Sequence, residues 1–594
     1  MDGSCNNPAN PLYGLAGTPF QRILAATYPT GDNSPRKARD GAELPSARRV
    51  STTVFQKGDR KDPDISSQFM QMGQFLDHDL THTPTSTVGG RPPQCCLPDR
   101  RDREWAYPRD PFNNQQNVCF PIEVPGQDKF WGRKGRRCMH VARSIPAPTI
   151  NPVCESGRWE QENAITHWLD GSNIYGSTET ESEDVRHKED RGLMARSRTH
   201  ELLPSCARAI ALARDLARET PESCPLGVGA GDRNFVGGDF RVNEQPMLTV
   251  QHTVWVREHN RIATELRRIN PAWRGERLFQ ETRRIVVAEW QNIVYGEWLP
   301  ILLGSSYMRV FGLLPLTQGY SEDYDPEFDP RINNEFATAA FRFAHSLVPS
   351  HVPNRDSRGR NITSLHLRSA FNQGARVGDD NFIADTVRGL TQDSVPALDG
   401  SFVEDIVDHL FEGDEGGNGG LDLPALNIQR GRDHGISGYN QYREECAARS
   451  SNFGKASDFG QLTQGKWLTS EDVKKLRSVY AHVDDIDLFA GGILEKAHRG
   501  ALVGPTFKCI IGDQFVRLKR GDRFWFENGA DPRTRFSLAQ LDSLRRVSEA
   551  RVMCDNTDIR TAQPLLFRMP TAANELVSCD APDIPRLDLT LWKE

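Results

Sequence analysis

GQFLDHDLTH, residues 73–82, places an aspartate on each side of a histidine within an apolar helical pattern. In and just before this segment, apolar residues recur at the three- and four-residue spacing of a helix: Phe69, Met72, Leu76 and Leu80. The pattern predicts a mostly buried helix that carries several polar groups. Buried carboxylates are costly unless they are paired, bound to a metal or covalently used, so these aspartates require partners.

The polar residues of this helix point to more than one site. Gln74 and His78 are four residues apart and share a face, and Asp77 lies beside them. Asp79 points in another direction. The pattern therefore indicates two adjacent centres. Read by itself, the same pattern of polar residues would also be expected for a structural histidine with capping carboxylates.

The composition is that of an ordinary globular protein, with 594 residues, 37% of them hydrophobic and 26% charged. The formal net charge is −7, and Lys and Arg are spread along the chain, so no nucleic-acid surface is predicted. No run of about 18 apolar residues predicts a transmembrane helix. The first residues do not resemble a signal peptide, and we expect this chain to be a mature fragment.

Twelve cysteines are dispersed along the chain without a CxxC pair, which favours disulfides over a zinc site. Asn361-Ile362-Thr363 matches the N-glycosylation acceptor pattern. Both features favour an oxidising environment. We therefore expect a secreted glycoprotein.

The chain divides into two parts by pattern. Residues 1–160 are loop-rich apart from the helix around His78, and helical patterns dominate residues 161–594. The predicted helices are 206–218, 246–268, 276–302, 334–348, 401–411, 470–479 and 538–547. Residues 507–527 predict either a short hairpin or a helix. We predict one large, mainly α-helical domain over residues 1–594, with long disulfide-tied loops and very little β-structure.

Further polar clusters lie far apart in the sequence. In THWLDGSNIYGS (166–177), the side chains of Thr166, Asp170 and Ser172 and the carbonyl group of Trp168 supply the oxygen ligands that calcium prefers. An ordinary Asp-Gly-Ser turn has the same composition.

Two other segments are equally ambiguous when read alone. Arg241 and Glu244 precede Pro246, which suits the first turn of a helix, but Arg and Glu at this spacing usually form a surface ion pair. In FATAAFRFAHSLVPS (336–350), His345 follows Arg342 by three residues. A lone histidine in such a stripe is more often a hydrogen-bonded core residue than a ligand.

Together and in this order, the motifs resemble those of the animal haem peroxidases. The matching segments are GQFLDHDL, LDGSNIYGS, RVNEQP with REHNRIA, FRFAH and LNIQRGRDHG. The resemblance covers essentially the whole chain and is greatest to invertebrate peroxinectin-like forms and to the peroxidase domain of peroxidasin. It implies a haem enzyme that uses hydrogen peroxide to oxidise halides, pseudohalides or phenolic donors.

The resemblance also implies distal roles for five matching residues. His78 would be the catalytic base, Gln74 would hold a distal water, and Arg241 would stabilise negative charge on the departing oxygen. Asp77 and Glu244 would form ester bonds to haem b. An esterified carboxylate carries no charge, which would answer the question of how Asp77 can be buried.

On the proximal side, the resemblance makes His345 the iron ligand and Asn427 the acceptor of its second ring N–H. Arg342 would contact a haem propionate. The calcium ligands implied by the resemblance are Asp79, Thr166, Trp168, Asp170 and Ser172. The disulfides implied are Cys206–Cys224, Cys446–Cys509, Cys554–Cys579 and an outer pair Cys5–Cys154, which leaves Cys95, Cys96, Cys119 and Cys138 to pair among themselves.

One position departs from a well-known family pattern. Residue 245 is glutamine, whereas in myeloperoxidase the matching methionine forms a sulfonium link to a haem vinyl group. That link cannot form here. We expect turnover of iodide, thiocyanate, bromide and phenols such as tyrosine, and poor turnover of chloride.

Two rival interpretations remain. Lys57-Gly58-Asp59 is a KGD tripeptide of the integrin-ligand type, so an adhesion or matrix protein with secondary peroxidase activity is the main alternative. Charged loops also produce such tripeptides by chance. A zinc hydrolase using His78 and His82 lacks both the HExxH pattern and a third ligand.

Overall fold

The computed structural model describes residues 2–28, 33–88, 92–98, 105–106, 118–148, 159–190, 192–197, 201–206, 224, 234–362, 365–412, 419–448 and 454–594. Within these ranges the chain is mainly helical, as predicted. The α-helices are α1 Ala47–Val54, α2 Ser67–Leu80, α3 Ser172–Tyr175, α4 Glu179–Val185, α5 Pro246–Ile269, α6 Gly275–Ile293, α7 Leu299–Leu303, α8 Ser305–Val310, α9 Asn334–Thr338, α10 Asp380–Gln392, α11 Glu404–Val407, α12 Leu423–Asp433, α13 Tyr439–Ala448, α14 Phe459–Gln464, α15 Ser470–Val479, α16 Leu488–Leu494, α17 Pro505–Gly521, α18 Leu538–Leu544 and α19 Glu549–Asn556.

Short 3-10 helices and one π-helical turn complete the helical part. The 3-10 helices are Gly132–Lys134, Phe240–Asn243, Ala340–Leu347, Leu367–Ser369, Gly374–Arg376, Val483–Asp485 and Leu589–Trp592. The π-helical turn Val294–Trp298 joins α6 to α7. Among the described residues, no helix is both long and apolar enough to cross a membrane.

The β-structure consists of two-stranded ladders. The strands are β1 Thr18–Pro19, β2 Gln56–Lys57, β3 Lys61–Ser66, β4 Leu97–Pro98, β5 Trp105–Ala106, β6 Ile122–Glu123, β7 Cys138–Met139, β8 Glu162–Asn163, β9 His351–Val352, β10 Leu365–His366, β11 Ser394–Pro396, β12 Ser401–Phe402, β13 Thr561–Ala562 and β14 Val577–Ser578. Two of the ladders join the N-terminal part to residues near 400: β2 pairs with β12 in parallel, and β3 pairs with β11 in antiparallel.

Helix α2 lies in the core of the protein. The rings of Phe69 and Trp298 stack at 4.9 Å, and the Trp298 indole nitrogen donates to the Phe69 carbonyl at 2.9 Å. Phe75 packs edge-on against Trp290 at 5.3 Å. Two turns of α2, the helix that carries the opening motif, therefore contact the α6–α7 region. These contacts hold α2 in place.

The predicted helix boundaries hold best where a residue with strong local preferences marks them. Helix α5 begins at Pro246, and α15 spans Ser470–Val479 as predicted. Of the two alternatives for residues 507–527, the helix is correct, since α17 covers most of the segment. The predicted helix 206–218 lies almost entirely outside the described residues.

Two predicted helices are wrong in form. Residues 334–348 are not one α-helix, because Ala339 takes φ −137° and ψ −62° and the segment continues as a 3-10 helix. Residues 401–411 begin as strand β12, whose backbone pairs with β2, and only Glu404–Val407 is helical.

Five disulfides tie the described loops and helices. Three are as expected: Cys206–Cys224, Cys446–Cys509 and Cys554–Cys579. The four upstream cysteines pair among themselves, as Cys95–Cys119 and Cys96–Cys138. Cys154 lies outside the described residues, and Cys5 is exposed and bonded to no described cysteine, so the outer pair stays a prediction.

Two glutamates are buried together between α5 and α6. Arg261 binds the Glu258 carboxylate through two hydrogen bonds of 2.8 and 2.5 Å. Glu289 is fully buried, and burial together with the nearby Glu258 charge raises the pKa of its carboxyl well above the ordinary value. Because the folded protein retains this proton at pH values where the unfolded chain releases it, Glu289 lowers stability as the pH rises above about 4.

We predict that Glu289→Gln stabilises the fold more at pH 8 than at pH 5, by about 1.4 kcal/mol for each pH unit over which only the unfolded chain loses the carboxyl proton. The amide resembles the protonated carboxyl but does not titrate. The measurement is chemical denaturation at pH 5 and pH 8, with the gain larger at pH 8. Glu322→Gln, at an exposed position outside the helices, is the matched control. A gain independent of pH would contradict the argument.

Candidate active site

One cavity of about 230 Å³ brings together most of the residues singled out by the motifs. Helix α2, the segment before α5, the 3-10 helix Ala340–Leu347 and residues near 367–371 and 406–423 form its walls. The motif residues that line it are Gln74, Asp77, His78, Arg241, Glu244, Gln245, Arg342 and His345. Segments up to 271 residues apart in sequence therefore converge on one space.

Local helix geometry explains which side chains face this cavity. Gly73, Gln74, Asp77 and His78 follow the three- and four-residue spacing of one α-helical face. The other wall follows a different period. Residues three apart align in a 3-10 helix. The 3-10 helix Ala340–Leu347 therefore places Arg342 and His345 on one face.

His78 is a buried, uncharged base. Only 4% of the residue is exposed. Burial, assisted by the Arg241 charge, holds the pKa of His78 well below its ordinary value. Its Nδ1 lies 3.7 Å from Asp239 Oδ1 and its Nε2 lies 3.9 Å from Glu244 Oε2, and Nδ1 makes no hydrogen bond to a described residue. The neutral ring can accept a proton from a molecule in the cavity.

Arg241 is held by Asp239, a residue that the sequence analysis missed. The Arg241 Nε and Nη2 atoms donate to the two Asp239 oxygens at 2.8 and 2.7 Å. Arg241 Nη1 lies 3.9 Å from Asp77 Oδ2. An aspartate two residues before an arginine is the only sequence signal that could have indicated this pair.

A network of three glutamines links the carboxylates of the cavity to α5. Gln74 donates to Glu244 Oε2 at 2.7 Å, and Gln245 donates to the side-chain oxygens of both Gln71 and Gln74 at 2.8 Å. The Gln245 oxygen also accepts from the Met247 amide at 2.8 Å, which caps the start of α5. Gln74, expected to hold a water, is thus also held by protein partners.

Both carboxyls that the resemblance assigns to ester formation face the cavity, where 28% of each side chain is exposed, and have polar neighbours. Burial raises the pKa of Glu244 to about 7. Burial also raises the pKa of Asp77, although the nearby Arg241 and Arg342 charges oppose the effect. Asp77 accepts a hydrogen bond from the Thr81 hydroxyl at 3.0 Å.

On the proximal side, His345, Asn427 and Arg342 form a chain. Asn427 Nδ2 lies 2.7 Å from His345 Nδ1, and Asn427 Oδ1 accepts from Arg342 Nη1 at 2.9 Å. In this orientation the amide donates to His345, whereas the sequence analysis expected it to accept. Rotation of the amide by 180° would make Asn427 Oδ1 the acceptor for His345 Nδ1 and would break the contact with Arg342, because a guanidinium cannot accept a hydrogen bond. Burial, with the Arg342 charge, lowers the pKa of His345 to about 3, so its ring is neutral.

A second polar cluster, around Asp79, lies beside the first on another face of α2, in the direction that the helical spacing predicted for Asp79. Asp79 is fully buried and accepts from the Ser172 amide at 2.6 Å, the Ser172 hydroxyl at 2.9 Å and the Trp290 indole at 2.9 Å. The Thr166 hydroxyl donates to Asp170 Oδ1 at 3.0 Å. Burial and the Asp170 charge raise the pKa of Asp79.

The fifth residue assigned to this centre, Trp168, lies in the same loop, and its indole nitrogen donates to the Gly3 carbonyl at 3.1 Å. A larger cavity of about 430 Å³ adjoins Asp170 but contains no other motif residue.

A family model described as animal haem peroxidase matches residues 1–567. The chain belongs to the animal haem peroxidase family. It is a peroxidase, and the family implies haem as its cofactor. The chain is 37% identical to chorion peroxidase of Drosophila melanogaster, over all of this chain and 70% of that protein. It is 35% identical to mouse myeloperoxidase, over all of this chain and 79% of that protein.

Solved structures agree with this assignment. Peroxidase A of Dictyostelium discoideum superposes with a TM-score of 0.73 at 26% identity, over 96% of this chain and 98% of that one. Fatty acid alpha-dioxygenase of Oryza sativa has a TM-score of 0.66 at 17% identity, over 88% of this chain and 78% of that one, and this likeness concerns the fold alone.

Proposed function

We propose that this peroxidase uses hydrogen peroxide to oxidise iodide, thiocyanate, bromide and phenolic donors such as tyrosine, with haem b bound between His78 and His345. One observation carries the proposal: a neutral histidine and an arginine share a cavity with a second neutral histidine. Proton acceptor, fixed positive charge and iron ligand are the three groups that peroxide cleavage at haem requires.

The residues of the cavity fit haem. His345 is uncharged and lines the cavity, so one ring nitrogen can bind iron. Phe341, Leu367 and Phe371 add apolar wall. Iron binding through Nε2 requires a proton on Nδ1 and hence an acceptor beside it. The turned amide of Asn427 would provide that acceptor and would release Arg342 from Asn427, which leaves the guanidinium available for a propionate.

The protein's own residues would move the proton and stabilise charge. Bound haem would supply the iron at which the O–O bond of peroxide is cleaved. The oxidised haem would then oxidise the donors. His78 accepts a proton from the peroxide oxygen nearest to it and returns the proton to the departing oxygen. The Arg241 guanidinium stabilises the negative charge that develops on that oxygen. Gln74, tied to Glu244 and Gln245, would orient a water or a small anion beside His78.

We further propose ester bonds from Asp77 and Glu244 to the haem methyl groups. In each bond a carboxylate oxygen replaces one hydrogen of a methyl group, a two-electron oxidation for which hydrogen peroxide is the oxidant and is reduced to water. Both carboxyls line the cavity and are only partly exposed, and an ester removes the cost of enclosing their charges there. At the second centre we propose calcium, bound by Asp79, Thr166, Trp168, Asp170 and Ser172. In the described ranges, no cluster of three or more His, Cys, Asp or Glu side chains could hold a metal ion, so this site would depend on hydroxyl and carbonyl oxygens, as calcium allows.

A secreted location, with a role in defence or in cross-linking of matrix proteins, is our proposed setting. It is supported by five disulfides in the described ranges, which are typical of oxidising compartments. The alternative, adhesion through KGD, has less support. Lys57 forms ion pairs with Glu404 and Asp408, and Asp59 forms one with Lys61, so both charged ends of the tripeptide already have partners.

For the covalent links, we predict that haem remains with the peroxide-treated protein during extraction with acid and organic solvent. The double variant Asp77→Val/Glu244→Gln should release it, because neither side chain can form an ester to haem. Glu322→Gln, which changes an exposed carboxylate, is the control and should retain haem. Full release of haem from the unmodified protein would refute the ester proposal.

For the second centre, we predict about one tightly bound calcium ion per chain, as expected for a closed oxygen-ligand site. Asp79→Ala should abolish this calcium and perturb the haem absorption spectrum, since His78 is the adjacent residue on α2. Asp64→Ala, an exposed aspartate on β3, is the control. Metal analysis that finds no calcium in active, unmodified protein would show that the centre is misassigned.

For the donor, we predict that the unmodified enzyme turns over iodide and thiocyanate well, bromide less well and chloride poorly at neutral pH. Gln245→Met should allow a sulfonium link, shift the Soret band to the red and increase chloride turnover, because a positive sulfur withdraws electron density from the porphyrin. Gln245→Leu is the matched control, since it removes the same hydrogen bonds to Gln71 and Gln74 but carries no sulfur. Equal rates of chlorination and bromination by the unmodified enzyme would contradict this reasoning.

A further inference from the structure

We propose that Asp239 is the positioning residue for Arg241: it fixes the direction of the guanidinium and balances its charge during reaction with peroxide. Asp239 Oδ1 accepts from the Arg241 amide at 2.9 Å and from Arg241 Nε at 2.8 Å, and Oδ2 accepts from Nη2 at 2.7 Å. Three donors of one residue thus converge on one carboxylate. We call this arrangement the Asp-x-Arg bracket.

The bracket alone does not carry the inference, because it occurs elsewhere without a cavity. Asp329 and Arg331 form it, with Arg331 amide and Nη2 contacts of 3.0 and 2.8 Å. Asp531 and Arg533 form it on the surface, with contacts of 3.0 and 2.9 Å. Aspartate two residues before arginine therefore makes this bracket as a local turn structure.

Burial and position distinguish the bracket at Asp239. Its side chain is 2% exposed, against 15% for Asp329 and 20% for Asp531. The same carboxylate lies 3.7 Å from His78 Nδ1, and Arg241 Nη2 lies 3.5 Å from the His78 carbonyl. The bracket at Asp239 thus connects the two side chains proposed to act on peroxide.

The bracket determines which part of Arg241 is available to a ligand. Asp239 occupies the edge formed by Nε and Nη2. That edge is therefore not available for bidentate binding of an anion. Nη1 makes no hydrogen bond to a described residue, and it lies beside Asp77 at the cavity wall. The second Nη2 proton has the His78 carbonyl 3.5 Å away, so Nη1 is the Arg241 nitrogen left to a ligand, and it suits one oxygen of peroxide.

Asp239 becomes more important as the counter-charge of Arg241 once haem is covalently attached. This inference rests on the proposed function. Before attachment, Asp77, Glu244 and Asp239 are the carboxyls near Arg241. Ester formation would remove the charges of Asp77 and Glu244. Asp239 would then be the remaining counter-charge of Arg241 among these three.

The experiment uses the holoenzyme with Asp239→Asn, Arg241→Ala and the double variant. Haem content and the Soret band report whether the pocket is intact. Stopped-flow absorbance gives the second-order rate constant with peroxide, and titration of the ferric enzyme gives the affinity for fluoride. Asp531→Asn, which breaks the same bracket on the surface, is the matched control and should leave both quantities unchanged.

We expect Asp239→Asn to lower the peroxide rate constant by about 10²-fold, the effect of losing one oriented donor. Fluoride should bind more tightly, because the Arg241 charge is no longer balanced. In the Arg241→Ala background, Asp239→Asn should change the peroxide rate constant by less than about threefold, since it acts through Arg241.

Three results would overturn the inference: a peroxide rate constant unchanged by Asp239→Asn, a joint loss of haem, peroxide reaction and fluoride binding, or an undiminished effect in the Arg241→Ala background. The second would make Asp239 only a structural residue. If the unmodified holoenzyme itself fails to react with peroxide, the proposed function fails instead, so the two failures can be told apart.

Discussion

Helix α2 is buried along almost its whole length, and most of its polar side-chain atoms, His78 Nδ1 and Gln68 Oε1 excepted, have partners inside the protein. Those partners come from distant segments: Gln68 donates to Glu549 at 2.9 Å, and Asp79 accepts from Ser172 and Trp290. Because each missing partner would cost about 1–3 kcal/mol, the surrounding helices have little freedom to shift. The cavity at His78 and the loop at residues 166–172 both follow from this requirement.

The fold class and the helical face that carries Gln74 and His78 could be predicted from local signals, whereas the roles of the other site residues were assigned only through the resemblance to the family. Pro246 marks the start of α5, and the spacing of Gln74 and His78 places them on one helical face. The separation of Asp79 from His78 followed from the 100° step between consecutive helical residues. These features depend on backbone geometry that nearby residues determine, so neither needs knowledge of the tertiary structure.

The features that the sequence analysis missed depend on long-range partners. Helix α12 resembles a polar loop, yet Arg432 is buried against Asp487 and Asp433 against Arg143, 290 residues away. The change to 3-10 geometry after Ala339 is likewise absent from an apolar stripe that suits both helix types. Asp239 was missed because its proposed role depends on its burial. The local Asp-x-Arg motif does not reveal that burial, since the same motif recurs at the surface.

Because His78 and Asp79 are adjacent in the sequence, the length of α2 is as important as its composition. Inserting or deleting one residue before this pair would turn both side chains by about 100° around the helix axis. Neither would then face its own partners, and no compensating substitution elsewhere could restore both directions at once. Over evolutionary time, substitutions can accumulate along this helix, but changes in its length between Gln68 and Asp79 should be excluded.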